Sequence, residues 1–448
     1  MRAINVGWLF SCVAMTTSCA ISSMRVEVSN DAGVGGNGNQ AGTTGGVSST
    51  NPAMGGASNA GYTSSGGSVN AGGAVAPGSK TATDSPNSTG GATSAKLVAK
   101  TIAAGSEFTC ALLTGGTVQC WGDNTDGGLG NGTKANSSVP VPVSGITNAT
   151  AVVAGEYHMC AFVTGGTVQC WGDNGYGQLG SGVTTTTSSV PITVPGITNA
   201  TVAAGTFHTC ALLTGGTVQC WGDNERGQLG NGTKMNSSMP VAVTGITNAT
   251  AIGAGGHHTC AVLTGGTVQC WGENDYRELG NGTTTDSSVP VTVSGMTTAT
   301  ALAAGFNHTC ALKTDGTVQC WGGNAYGTLG NGTTTTSSSV PVTVSGITSA
   351  TAVSSVGEHT CALLTDGTIQ CWGGNGDGQL GNGVKTTDNP LPVTVSGITN
   401  ATAVAAGAFH TCAILAGGAV QCWGGNSHGE LGNGTTTDSS VPVTATGF

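Results

Sequence analysis

From residue 99 to the C-terminus, apolar and polar positions alternate at period two, in short runs separated by glycine-rich breaks. One stretch shows the pattern. Thr201-Val202-Ala203-Ala204 reads as a short strand stopped by Gly205, and His208-Thr209-Cys210-Ala211-Leu212-Leu213 as a second. Thr214-Gly215-Gly216 turns the chain, glycine supplying the positive φ that a tight hairpin needs. Thr217-Val218-Gln219-Cys220-Trp221 returns as a third strand, and a loop dense in Gly and Asn runs from Gly222 to Thr233. Pro240-Val241-Ala242-Val243 reads as a fourth strand, at a sheet edge where the missing proline donor breaks no ladder bond.

The unit recurs along the chain. Cys-Trp-Gly begins at Cys120, Cys170, Cys220, Cys270, Cys320, Cys371 and Cys422, a spacing of 50 or 51 residues. Such a period marks a propeller or a solenoid. The Gly, Thr and Val content with period-two alternation excludes helical repeats. Four short strands per unit, seven times over, predict an all-β chain folded as a seven-bladed β-propeller with antiparallel blades. Ala99 to Gly105 aligns with Ala149 to Gly155, and the chain ends at the strand Val441-Pro442-Val443-Thr444. The first and last units are therefore expected to share a blade or to pack as neighbours, which removes free edges.

Trp221-Gly222-Asp223-Asn224, then Gly227-Gln228-Leu229-Gly230, Gly232-Thr233, Pro240 and Val243, resemble the repeat of the regulator of chromosome condensation family. His208 to Leu213 is similar to the strand that precedes it there. The resemblance covers about Lys96 to Phe448 and recurs seven times. It implies a seven-bladed propeller.

The segment before the repeats differs in kind. Met1-Arg2, an apolar stretch from Ala3 to Met15, and Thr16-Thr17-Ser18 before Cys19 read as an export signal over residues 1–19, too short to span a bilayer. Its end resembles a bacterial lipoprotein signal, which implies lipidation at Cys19, although Thr16 stands where leucine is usual. Residues 20–95 are Gly, Ser, Thr, Asn and Ala with almost no large apolar side chains. They read as a flexible linker, with a reach of roughly 50 Å for about 75 residues. The propeller then occupies residues 96–448.

Composition narrows the function. Gly accounts for 79 of 448 residues, charged residues for 7%, and the net charge is −10. That balance argues against nucleic acid or an anionic membrane as partner, membrane attachment being expected only through the N-terminal lipid. Arg226 and Arg277 are the only arginines in the repeats, so recognition of phosphate by arginine forks is scarce. Each unit also holds two cysteines ten residues apart: Cys110/Cys120, Cys160/Cys170, Cys210/Cys220, Cys260/Cys270, Cys310/Cys320, Cys361/Cys371 and Cys412/Cys422. About a three-residue turn they fall opposite one another on adjacent strands, within disulfide range in an oxidising compartment. Buried free thiols are the alternative; zinc sites carry a different cysteine spacing.

Six units place a histidine two residues before the first cysteine: His158, His208, His258, His308, His359 and His410, with Phe108 in the first unit. Equivalent positions in different blades stand far apart around an axis. The expected role is therefore a backbone hydrogen bond at a blade junction rather than a metal site. Asn-Gly-Thr at Asn131, Asn231, Asn281, Asn331 and Asn433 matches a glycosylation sequon and also a tight turn. No catalytic motif, metal site or cofactor site emerges, so neither enzyme activity nor a cofactor is expected.

Function is then expected where the units differ. One variable pair lies between the conserved Gly and His: Tyr157, Phe207, His257, Phe306 and Phe409 stand there. A second follows Trp-Gly-x-Asn and supplies Tyr176, Arg226, Tyr276, Arg277 and Tyr326. These are residue types that anchor interfaces. The leading expectation is an exported, monomeric, non-enzymatic module that binds a protein or a surface polymer through one face. The fold is similar to that of an exported β-lactamase inhibitor protein of the second type, which implies the same mode of binding. The alternatives are guanine-nucleotide exchange, as in the family's founding member, and a glycan-binding or cell-wall-associated module.

Overall fold

The computed structural model describes residues 97–448 except 335–336 and 386–387; the expected signal, Cys19 and linker lie outside the described residues. Seven four-stranded antiparallel sheets follow one another, each built from strands contiguous in sequence. The blades span residues 99–142, 149–198, 200–242, 249–292, 299–343, 350–394 and 401–444, and we number them one to seven. The fold is the all-β, seven-bladed propeller that the repeat predicts.

Blade three shows how the residues build a unit. Its strands are Ala200–Ala204, His208–Leu213, Val218–Gly222 and Ser237–Ala242, from the axis outward. The outer strand begins three residues before the proline expected to open it. Pro240 is tolerated inside it because that strand has a neighbour on one side only. On the third strand, alternation sends Cys220 toward the next blade and Trp221 back toward the previous one. Each blade interface is thus a sandwich of one blade's cysteines and Val, Leu and Ile against the next blade's small first-strand residues and buried Trp. Truncating such a tryptophan costs about 3–5 kcal/mol.

All seven cysteine pairs are disulfides. Cys210 stands directly opposite Cys220 with Cα atoms 4.0 Å apart, and the other six repeat this register. Each closes a small loop, contributing about 2–3 kcal/mol on the chain-entropy model.

The histidines do lie at blade junctions, where Nε2 meets a side chain of the next blade; only His410 also has the expected backbone bond, with Ser106. His208 Nε2 lies 2.9 Å from Thr259 Oγ1 of the next blade. That hydroxyl donates to the Gln228 carbonyl at 2.9 Å, and Trp271 Nε1 donates to the same oxygen at 2.9 Å. With its proton committed to the carbonyl, the hydroxyl accepts from the imidazole, so Nε2 carries the ring proton. The contact recurs from His158 to Thr209, His258 to Thr309, His308 to Thr360, His359 to Thr411 and His410 to Thr109. Between blades one and two, both partners change together. Phe108 replaces the histidine and Met159 the threonine, and the two join one apolar cluster.

The ring closes by neighbour packing, not by a shared blade. His410 Nε2 meets Thr109 Oγ1 at 2.7 Å and Trp121 Nε1 donates to the Glu430 carbonyl at 2.7 Å, as at the other histidine junctions. Phe448 adds its ring to Trp121 at 5.8 Å. Backbone bonds also link successive loops around the axis: Ser106 N–H to Glu156 O, Gly256 N–H to Gly305 O, Phe306 N–H to Gly357 O, and Ala408 N–H to Gly105 O.

Burial drives five of the junction imidazoles down to about 3 and His308 to about 4. An unfolded-chain imidazole titrates near 6.5. Between those values only the unfolded chain gains protons, so this stability is complete above pH 6.5 and falls as the pH drops toward 3. The slope is at most about 1.4 kcal/mol per pH unit for each ring. Copying the Phe108–Met159 pair into another junction (His258→Phe with Thr309→Met) should make the pH dependence of urea stability between pH 4 and 6 shallower by one proton. An unchanged slope would show that the junction imidazoles do not set the acid sensitivity.

Candidate functional site

Up-and-down order within each blade puts the loop between first and second strands, and the loop between third and outer strands, on the same side of the disc. The two variable residue sets therefore share one face. The turns between second and third strands form the opposite, hairpin face. Charge divides between them unevenly. Among the described residues every Asp and Glu except Asp315 and Asp366 lies in or beside the loops of the variable face. The basic residues there are Lys134, Arg226, Lys234, Arg277 and Lys385. Three of them are already paired: Arg226 with Glu273, Asp275 and Asp286 at 3.3 to 3.7 Å, Lys234 with Asp286 at 3.4 Å, and Lys385 with Asp438 at 2.8 Å. These pairs are solvent-facing and add little stability. Their effect is to leave the face with unmatched negative charge.

Aromatic side chains from four successive blades form an arc on this face. Tyr157 stacks on Phe207 with centroids 5.7 Å apart, Phe207 lies 6.3 Å from His257, and His257 lies 6.4 Å from Phe306, edge-on. Tyr176, from the other loop set, reaches Phe207 at 4.9 Å. The rings are half-buried and Tyr176 is exposed. Phe306 also packs inward against the buried cluster that holds Val356, which stands where the other blades carry glycine.

The loops beneath the arc are held by their own side chains. Asn224 Oδ1 accepts from the Leu229 N–H at 2.9 Å, and its amide nitrogen donates to the carbonyls of Thr233 and Met235. Asn231 accepts from the N–H and hydroxyl of Thr233, which is the turn role open to the Asn-Gly-Thr sequences. Gln228 Nε2 donates to Asp223 Oδ2 at 2.6 Å, and the same carboxylate oxygen lies 3.5 Å from His257 Nδ1. Gln178 and Asp173 make the same 2.6 Å bond in blade two. Gly230 sits at φ 65° with the Trp271 indole under it, where a Cβ would lie 2.6 Å from Nε1. Only glycine meets both requirements.

The structure thus gathers Tyr157, Phe207, His257, Phe306 and Tyr176 into one arc. Tyr276 and Tyr326 lie farther round, lining a cavity with Asn307 and Glu358. Arg226 is occupied by the three carboxylates. Arg277 takes φ 74° where the other blades have glycine, and bonds Ser337 Oγ of blade five. Phe409 contacts none of the arc's rings among the described residues and packs beside Gly425. Glu358 belongs to the variable pair Gly357-Glu358 between Gly and His, whereas Val356 and Met159 were missed by sequence reasoning. Column-by-column comparison of the seven units would have flagged each as a departure.

Glu278 offers a direct check on the electrostatics. Its carboxylate accepts the Tyr276 N–H at 2.9 Å, and burial, with Glu273 and Asp275 nearby, pushes it up to about 8. A carboxyl raised above its unfolded value of 4.5 gives stability that is present below pH 4.5 and lost as the pH rises toward 8. Blades two, three and six carry Gln178, Gln228 and Gln379 here, each accepting the equivalent N–H at 3.0 Å. Glu278→Gln should therefore be stabilising by about 1–3 kcal/mol at pH 8, with no gain at pH 4.5. Denaturant melts at both pH values would show this; equal effects at both would remove the basis for a buried, raised carboxyl.

Residues 40–357 match the family model described as the RCC1-like domain. Residues 366–414, and separately 350–379 and 401–430, match models of the regulator of chromosome condensation (RCC1) repeat. Among curated proteins, the mitochondrial RCC1 domain-containing protein RUG3 of Arabidopsis thaliana is 35% identical over 107 residues, which is 23% of this chain and 24% of that protein. The ultraviolet-B receptor UVR8 of the same plant is 36% identical over 92 residues, covering 20% and 21% of the two chains. The alignments thus span about a quarter or less of these relatives. Yeast RCC1 (Prp20), solved bound to Kap60, is similar at TM-score 0.65 and 20% identity, over 78% of this chain and 84% of that one. Human WBSCR16 is similar at TM-score 0.66 and 20% identity, over 74% and 94%. The match to the domain model over well more than half its length places this chain in the RCC1-like domain family.

Proposed function

We propose that this propeller is a non-enzymatic binding module, exported and held at the cell envelope through Cys19, whose loop face captures a basic protein. One observation carries the reading: a continuous arc of aromatic rings from four successive blades lies on the face that holds nearly all the carboxylates. Aromatic side chains with an apolar body supply interface area at low entropic cost. The surplus negative charge around them steers a cationic partner and sets the register of docking. The polar residues that recur from blade to blade are committed to the scaffold. The imidazoles bond threonine hydroxyls, and the loop asparagines hold their own loops. Binding is therefore left to the positions that vary.

The seven disulfides support an oxidising compartment and so export. They disfavour the exchange-factor reading, which needs a partner in a reducing one. Propellers of this fold do engage proteins: Prp20p of Saccharomyces cerevisiae has been characterised for its binding to Gsp1p and histones.

The test is capture from envelope extracts by the purified protein. Tyr157→Ala with Phe207→Ala should lower capture at least 10-fold, and raising the salt from 50 to 500 mM should do the same. Lys313→Ala on the hairpin face should leave it unchanged. Capture that survives the aromatic substitutions refutes the proposed face. Alkylation of the unreduced protein purified from its native cell should find no free thiol in the propeller; fourteen reactive thiols would refute export.

A further inference from the structure

Blade five departs from the other six at one place. Directly after Trp-Gly, blades one to four carry a carboxylate, Asp223 in blade three. Five residues on, blades two, three, four, six and seven carry Gln or Glu, Gln228 in blade three. In blades two and three the two side chains bond each other. Blade five has neither: Gly323 and Thr328 stand there, and the Thr328 hydroxyl turns back to the Gly323 carbonyl at 2.7 Å.

Beside Gly323 lies a cavity of about 330 Å³ between the loops of blades four, five and six. Tyr276, Asn307, Tyr326 and Glu358 line it. A Cβ on Gly323 would lie 3.1 Å from Asn307 O and 3.7 Å from Tyr276 Cβ, so a side chain there would enter between two of the cavity's walls. Glu358 pairs with no cation and accepts no hydrogen bond among the described residues; the Arg277 guanidinium bonds Ser337 Oγ at another wall of the cavity. Burial alone lifts its carboxyl to about 7.

An unpaired, sunken carboxylate is costly unless a partner arrives. The walls specify the partner. Two tyrosines line the cavity, and aromatic rings attract organic cations. The carboxylate supplies the counter-charge, and the Asn307 amide an acceptor. One carboxylate offers too few oxygens for a hard metal ion, which takes six or more. An anion would meet Glu358 and the acidic face around it. We infer that this cavity is a subsite for one organic ammonium group, filled in the complex by a lysine side chain of the basic partner. The second clause rests on the proposed function; the first does not.

The test uses the whole protein and a small probe. Nα-acetyl-lysine N-methylamide is titrated by calorimetry and by NMR of the tyrosine rings, beside its uncharged norleucine analogue. The lysine amide should bind at least 10-fold more tightly than the norleucine amide. Glu358→Gln should abolish that preference. Gly323→Asp with Thr328→Gln, which copies blades two and three, should refill the cavity and remove binding while the melting temperature stays within a few degrees. Equal binding of the two amides, or undiminished binding by the refilled variant, overturns the subsite. Lysine-amide binding without capture by the aromatic arc would sink the proposed function and leave the subsite standing. Arc-dependent capture without lysine-amide binding would do the reverse.

Discussion

Every blade of this propeller depends on one backbone carbonyl of the blade before it. The Gln228 oxygen accepts both the Thr259 hydroxyl and the Trp271 indole, and the hydroxyl in turn accepts from His208. Each of these hydrogen bonds contributes only about 1 kcal/mol net. Breaking one partner is worse, because it strands buried polar atoms. The same residue that gives its carbonyl to the junction sends its side chain up to Asp223 beneath the aromatic arc. Junction and loop face are therefore one mechanical unit. Side chains on the face are positioned by the bond that holds the blades together.

That coupling explains why departures come in matched sets. Phe108 and Met159 replace a histidine and a threonine that would have bonded each other across a junction. Changing either alone would leave the other polar group buried without a partner. Gly323 and Thr328 likewise replace two side chains that bond each other in sibling blades. The first pair substitutes one buried contact for another. The second leaves a cavity with an unpaired carboxylate, which no scaffold requirement accounts for. A repeat protein thus carries its own internal controls: six siblings show what each position does when it serves only the blade.

Much of the fold was legible because it is local. The 50-residue period, the Gly-Gly turns and the opposed cysteines act within one hairpin, so their spacing alone predicts strands and cross-links. The edge position of the fourth strand followed from its proline, which lacks a ladder donor. The outer strand's true start, at Ser237 rather than Pro240, did not follow, because an edge strand tolerates proline inside it. What stayed hidden acts between units. The bond from His208 to Thr259 joins residues 51 apart that share no local pattern. The variable loops read as aromatic from the sequence, yet which rings meet depends on the angle between blades. Phe306 joins the arc, whereas Phe409, at the neighbouring column of a later blade, does not.

The central claim is that irregular positions on blades two to five, not the regular frame, form the contact surface. Backbone hydrogen exchange of the whole protein, with and without a lysine-rich peptide, tests it most directly. Protection is expected at residues 155–157, 205–207, 255–257, 305–307 and 323–326, with the hairpin turns unchanged. Protection centred on the hairpin turns, or spread evenly over all seven blades, would contradict it.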